Sequence, residues 1–179
     1  MFLNPFVLPT LFLFFLFFLL LCLTGSSSSD ETVVSTELGI PFDSNIHYTV
    51  TSNFGYRSSP LNAKKELHSG IDLAIPQGTE IRASASGTVV WYKVTTGTGE
   101  SVMLEHDIGG VKYRTVYYHM LSNSVVVNTD DKVNAGQKIG IVGMTGTQVT
   151  GVHLHFEVRV YNAETNNYDY VDPKYIFEK

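Results

Sequence analysis

Gly151-Val152-His153-Leu154-His155-Phe156-Glu157-Val158-Arg159-Val160 alternates strictly. Val152, Leu154, Phe156, Val158 and Val160 share one parity, and His153, His155, Glu157 and Arg159 share the other. Successive side chains of a β-strand point to opposite faces, so this stretch reads as a strand with one apolar face buried. The opposite face then carries two imidazoles about 7 Å apart along the strand. Two histidines so placed can both reach one small object, and a metal ion is the natural candidate.

Outward from this strand the chain is a succession of short β-favouring runs at 49–53, 71–74, 80–83, 87–95, 101–106, 111–119, 125–127 and 138–142. Glycine-rich breaks separate several of them, at Gly97-Thr98-Gly99, Gly109-Gly110, 143–146 and Gly151. Many short strands with regular turn signals indicate an all-β fold, an antiparallel sheet core of sandwich or barrel-like type whose long loops form a groove. No amphipathic helix and no internal repeat stands out. The glycines at 143–146 superficially resemble a phosphate loop, but no Lys-Ser/Thr follows them, so they read as hairpin turns.

The net charge of −5 gives no support for nucleic-acid binding. The single cysteine, Cys22, lies in the N-terminal apolar segment. The folded part therefore has no disulfides and no thiolate ligands, and any zinc site in it must use His, Asp or Glu. Residues 11–23 are an unbroken run of Leu, Phe and one Cys, followed by Thr24-Gly25 and four serines. That pattern fits a secretory signal peptide over 1–25, and the run is also close to the ~20 residues that span a bilayer, so a retained membrane anchor is the alternative. Either reading puts the domain outside the cytoplasm, secreted or anchored, with membrane contact only through this segment. Bulky Leu21 before Cys22 argues against a lipoprotein site. Residues 26–45, rich in Ser and Thr, read as a flexible linker, and 46–179 as the folded domain.

Two further pieces pair with the quoted strand. In Glu66-Leu67-His68-Ser69-Gly70-Ile71-Asp72, the four-residue spacing would bring His68 and Asp72 together on a helix. Gly70 and the following Leu73-Ala74-Ile75-Pro76 favour instead a turn at Ser69-Gly70 leading into a strand. The second piece is Val116-Tyr117-Tyr118-His119, where His119 shares parity with Tyr113, Thr115 and Tyr117. Two imidazoles and one carboxylate make a sound catalytic zinc set, because three protein ligands leave the fourth tetrahedral position open. Zinc at such a position lowers the pKa of water to ~7 and polarises a carbonyl.

These elements, in this order, resemble the lysostaphin/LytM-type zinc endopeptidases, which cleave peptide bonds in bacterial peptidoglycan. The resemblance runs from Ser52-Asn53-Phe54-Gly55-Tyr56-Arg57 through His68-Ser69-Gly70-Ile71-Asp72, Tyr117-Tyr118-His119-Met120 and Gly143-Met144-Thr145-Gly146 to His153-Leu154-His155-Phe156-Glu157. It implies one zinc per chain on His68, Asp72 and His155, with His119 and His153 as catalytic histidines sharing general-base and oxyanion roles. It also implies peptidoglycan peptides as substrate; a monomer is expected. Where the family often has Tyr-Gly-Asn before Ser101, this chain has Thr98-Gly99-Glu100, so that loop departs from the pattern. Asn53 and Arg57 either line the substrate groove or brace a turn, and Tyr117 either donates into the site or packs in the core. His106 reads as structural and His47 as a surface residue. A catalytically dead regulator of another wall hydrolase and an endopeptidase on non-wall proteins are the competing functions.

Overall fold

The computed structural model describes residues 38–178; the expected signal or anchor segment and most of the expected linker lie outside the described residues. Eight strands form one antiparallel sheet. In chain order the strands are β1 (Thr49–Ser52), β2 (Gly55–Ser58), β3 (Lys65–His68), β4 (Ile71–Ala74), β5 (Glu80–Arg82) and β6 (Gly87–Thr95). They continue with β7 (Gly99–Ile108), β8 (Val111–Met120), β9 (Lys132–Val133), β10 (Lys138–Ile141), β11 (Leu154–Asn162) and β12 (Asn167–Val171). The large sheet runs β1-β4-β11-β8-β7-β6-β9, and β12 also pairs with β11. Two ribbons, β5–β10 and β2–β3, complete the fold. The all-β expectation holds, and among the described residues the sole helical turn is a 3₁₀ turn at Pro173–Ile176.

Residues 154–160 of the quoted stretch lie in β11, an interior strand of this sheet, and the apolar parity decides its orientation. Leu154, Phe156 and Val158 are fully buried. They stand in register with Leu73 of β4 and with Tyr117 and Thr115 of β8, so one face of the sheet is a continuous apolar layer. Leu104 and Val89 extend the row through β7 and β6. Ile81 and Ile139 of the β5–β10 ribbon close over the core, both fully buried. Burial of this kind contributes about 1.5–3 kcal/mol for each large apolar side chain.

Several boundaries differ from expectation. The β2–β3 hairpin, β9 and β12 had no sequence signal, and residues 125–127 form no strand. The backbone N–H of Val126 bonds the carbonyl of Ile139, and Val127 is buried, so β-branched side chains there serve the core from a loop. The end of the expected linker is folded too. Leu38 and Phe42 are buried in the core, and the Gly39 N–H donates to Ser84 O while Pro41 O accepts from Arg82 N–H. The alternation of Leu38, Ile40 and Phe42 was masked by the Ser/Thr-rich run before it. Residues 143–146 are not a hairpin turn, because β10 pairs with β5 whereas β11 pairs with β4, β8 and β12.

Candidate metal centre and groove

β3 ends on His68, Ser69 and Gly70 turn the chain, and Asp72 is the second residue of β4. The spacing therefore works through a turn, as the glycine suggested. Gly70 is needed for a further reason: a Cβ there would lie 2.3 Å from the carbonyl oxygen of Phe156 and 2.9 Å from His155 Nε2. Its absence lets β4 pair closely with β11 in a register that sets His155 opposite Asp72. Directly paired residues project on the same face, so the carboxylate and the imidazole meet.

Three donor atoms close a small triangle. His68 Nε2 lies 3.1 Å from Asp72 Oδ1, His155 Nδ1 lies 2.7 Å from the same oxygen, and the two nitrogens are 3.0 Å apart. A tetrahedral ion with bonds of ~2.0–2.1 Å separates its ligands by about 3.3 Å, so the triangle is close to that of a ligand set. His68, Asp72 and His155 are the cluster among the described residues able to hold a metal ion.

The atoms facing away from the triangle are held as well. His68 Nδ1–H donates to the carbonyl of Asn53 at 2.7 Å, which leaves Nε2 as the acceptor nitrogen facing the triangle. His155 Nε2 faces Glu157 Oε1 at 3.5 Å. Glu157 is buried and accepts from Ser69 Oγ on one oxygen and from Arg159 Nε and Nη2 on the other. An outer carboxylate behind a ligand imidazole fixes its tautomer and raises its basicity. Burial would raise the Asp72 pKa, but hydrogen bonds and charge from His155 and His68 hold it well below the carboxylate range. Burial would lower that of His155, but Asp72 and Glu157 push it up. The triangle thus calls for positive charge, which a divalent cation supplies, and the donor set fits one.

The other two site histidines stand beside it. His119 Nδ1–H donates to Thr145 O at 3.0 Å, and His153 Nδ1–H donates to Gly151 O at 2.8 Å. Both rings therefore leave Nε2 bare. Their centroids are 4.8 Å apart, and His153 Nε2 is 3.7 Å from Asp72 Oδ1. His153 lies just before β11, so it is freed from the strand geometry that orients His155. Burial, above all, lowers the pKa of His119 to about 4, which keeps its ring neutral at pH 7.

Strict alternation in β8 fails at His119, whose φ is +61°. Tyr117 faces the core, fully buried, with its hydroxyl bonded to Ser84 N–H, Ser84 Oγ and Thr115 Oγ1. Of the two readings of Tyr117, as a possible groove residue or a core residue, the structure has the core one. Tyr118, in register with His155, faces the site, and His119 turns to the same side through the backbone reversal. Burial raises the pKa of Tyr118 well above the usual phenol value, so it remains a hydrogen-bond donor.

An open groove of about 360 Å³ runs over these residues. Leu61, Leu67, Thr98, Gln148, Arg159 and Tyr170 line it as well. Arg57 lines it and also braces Asp72, its Nη1 lying 3.5 Å from Oδ2 and bonding Ser52 Oγ. Asn53 acts through its backbone carbonyl on His68, and its side chain is exposed. His106 is structural: it is buried on the core face, donating from Nδ1 to Ser86 O and pairing Nε2 with Thr115 Oγ1. His47 is exposed. Sequence reasoning assigned no role to Glu157, Ser69, Tyr118 or Thr145. Only Glu157 carried a usable signal, its shared parity with His155.

Comparison with known proteins agrees with this geometry. The model of peptidase family M23 matches residues 66–173. The chain is 36% identical over 137 residues to the DD-carboxypeptidase/endopeptidase Mpg of Neisseria meningitidis serogroup B, covering 76% of this chain and 30% of that protein. It is 36% identical over 127 residues to the peptidoglycan DD-endopeptidase ShyA of Vibrio cholerae, covering 70% of this chain and 28% of the relative. The chain thus spans under a third of the length of these relatives. The catalytic domain of the antimicrobial peptidase lysostaphin from Staphylococcus simulans superposes with a TM-score of 0.59 at 28% identity, over 75% of this chain and 94% of that domain. Matched family, shared fold and a centre of two imidazoles and a carboxylate lead to one conclusion: the chain belongs to peptidase family M23.

Proposed function

We propose that this chain is an exported zinc metalloendopeptidase that hydrolyses peptide bonds in bacterial peptidoglycan, in cross-bridges or stem peptides, for wall remodelling or lysis. The observation that carries the reading is the triangle of His68 Nε2, Asp72 Oδ1 and His155 Nδ1 beside two imidazoles whose Nε2 atoms are bare. The family of the chain and the names of its relatives support the substrate class. The apolar run within residues 1–25 supports placement outside the cytoplasm.

In this reading His68, Asp72 and His155 hold zinc, with Glu157 orienting His155 from behind. When bound, zinc supplies Lewis acidity, which acidifies water and polarises a carbonyl. The groove holds the peptide across the centre, with Leu61 and Leu67 offering it apolar contacts. His119 and His153, each with Nδ1–H tied to a backbone carbonyl, offer Nε2 to take a proton and return it to the leaving amine. Either imidazole, once protonated, also stabilises a developing oxyanion. Tyr118, kept as a neutral phenol, donates a hydrogen bond from the groove floor.

The test is release of new amino groups from purified sacculi by the full chain. Activity that is lost with a chelator and restored by zinc is expected. A zinc-loaded protein inert toward sacculi of several cross-bridge chemistries would overturn the proposal.

A further inference from the structure

His119 adopts a backbone conformation that most residues avoid, and the molecule must hold it there. A φ of +61° in a non-glycine residue is costly and persists only where the surroundings over-determine it. One surrounding contact is the His119 N–H donating to Thr98 O at 3.2 Å. The others converge on Thr145. Its carbonyl oxygen accepts the His119 Nδ1–H at 3.0 Å. Its hydroxyl donates to the carbonyl of Met120 at 2.6 Å, the residue after the histidine, and accepts the backbone N–H of Glu100 at 2.9 Å. One residue thus grips the imidazole with its main chain and the adjoining peptide with its side chain.

The segment carrying Thr145 has no slack. A Cβ on Gly99, whose φ is +66°, would come within 2.2 Å of Thr145 Oγ1, and one on Gly146 within 2.4 Å of Gly97 O. Thr147 and Gln148 both donate their N–H groups to Gly97 O at 3.0 Å. Glu100, at the place where the loop departs from the family pattern, closes the arrangement by accepting the N–H of Asn123 on Oε1. The strands on either side of this loop belong to different sheets; an isolated bridge between Met120 and Val142 and the Leu121 N–H bond to Ile141 O bring the start of the loop alongside the end of β8, and the bonds of Thr145 then fix it against His119.

We propose that Thr145 is a positioning residue for His119: through its carbonyl it enforces the Nδ1–H tautomer, and through its hydroxyl it maintains the reversed backbone that turns the ring into the groove. The kinetic side of this proposal rests on His119 as a proton-transfer group, whereas the tautomer does not.

The test compares zinc-loaded full-length wild type, Thr145→Val, which removes the hydroxyl at nearly constant shape, and Thr145→Ser, which keeps it. Imidazole nitrogens are read by long-range proton–nitrogen NMR, with zinc content, kcat and KM on peptidoglycan fragments alongside. Thr145→Val is expected to keep its zinc and its KM, to lose about 10²-fold in kcat, and to show His119 as a mixture of tautomers. Thr145→Ser is expected to restore the single Nδ1–H tautomer and most of kcat. Wild-type kcat with an unchanged tautomer in Thr145→Val, or an equal defect in Thr145→Ser, would overturn the proposal. In the wild type itself His119 Nδ1–H must be protected from solvent exchange, and an unprotected or Nε2–H imidazole refutes the proposal even if Thr145→Val fails to fold. A wild type that cleaves no fragment sinks the endopeptidase reading and leaves the tautomer measurement to judge Thr145.

Discussion

His155 stands directly opposite Asp72 in the β11–β4 register, with Nδ1 2.7 Å from Oδ1. The pairing makes the Nδ1 of one residue and the carboxylate oxygen of the other neighbours through the strand register that Gly70 permits. It also sets up a competition between a proton and a metal ion for the same space.

That competition gives zinc binding a defined pH dependence. His155 must be deprotonated to bind metal, yet in the metal-free protein Asp72 and Glu157 hold its pKa above the usual 6.5 despite burial. Below that raised value each binding event displaces one proton, so the apparent zinc affinity should fall about tenfold per pH unit as pH drops. Competition with a chromophoric chelator from pH 5.5 to 8.5 measures it, and a flat profile over the acidic half would refute the assignment.

Glu157→Gln removes the carboxylate behind His155 while keeping its size. A weakening of zinc binding by about 10–100-fold is expected, as for other outer partners of ligand histidines. Arg159 loses its charged acceptor too, so thermal unfolding should be followed in parallel. Zinc affinity equal to wild type would show that the 3.5 Å contact to His155 is incidental.

The break in β8 predicts opposite phenotypes for adjacent tyrosines. Tyr117→Phe leaves buried partners at Ser84 and Thr115 unsatisfied and should cost about 1–3 kcal/mol of stability with kcat intact. Tyr118→Phe should cost less stability than that, because its hydroxyl's partner Arg159 keeps its bonds to Glu157, and should lower kcat. Urea unfolding together with steady-state kinetics separates the two, and the reverse pattern would mean that the strand alternates through His119 after all.

Removing histidines should divide them into two groups. His155→Ala is expected to lose stoichiometric zinc. His119→Ala and His153→Ala should retain it and lose about 10²–10⁴-fold in kcat, the range for a positioned general acid or base. Metal analysis on the same preparations used for kinetics is decisive, and zinc loss in His119→Ala would move that residue into the metal shell.

Much of this site could be read from the chain because β-strand alternation and turn chemistry are local properties. The apolar parity of Leu154, Phe156 and Val158 marked the buried face of β11, and Gly70 marked the turn that lets Asp72 return beside His68. Tyr117 and Tyr118 were not separable on that basis. The parity of His119 with Tyr117 placed both on one face, and the positive φ that divides them occurs where His119 contacts Thr98 and Thr145, the latter distant in sequence. The β2–β3 hairpin escaped notice because its strands are short and largely exposed, with no apolar parity to display.

By itself the sequence determined the all-β class and the strand that carries His155, since period-two patterning is carried by residue identity, while its resemblance to a known family singled out the side chains expected to bind metal. Only the tertiary structure decided which nitrogen each histidine presents. That choice depends on what the opposite nitrogen meets: Asn53 O for His68, Glu157 for His155, Thr145 O for His119 and Gly151 O for His153. For three of the four, the deciding partner is brought in by a turn, a loop or a backbone reversal, and for His155 by the next residue of like parity on its own strand. A neutral imidazole has one donor and one acceptor, so fixing the outer contact fixes the inner one. The fold thereby turns chemically identical rings into two fit for a metal and two fit for a proton.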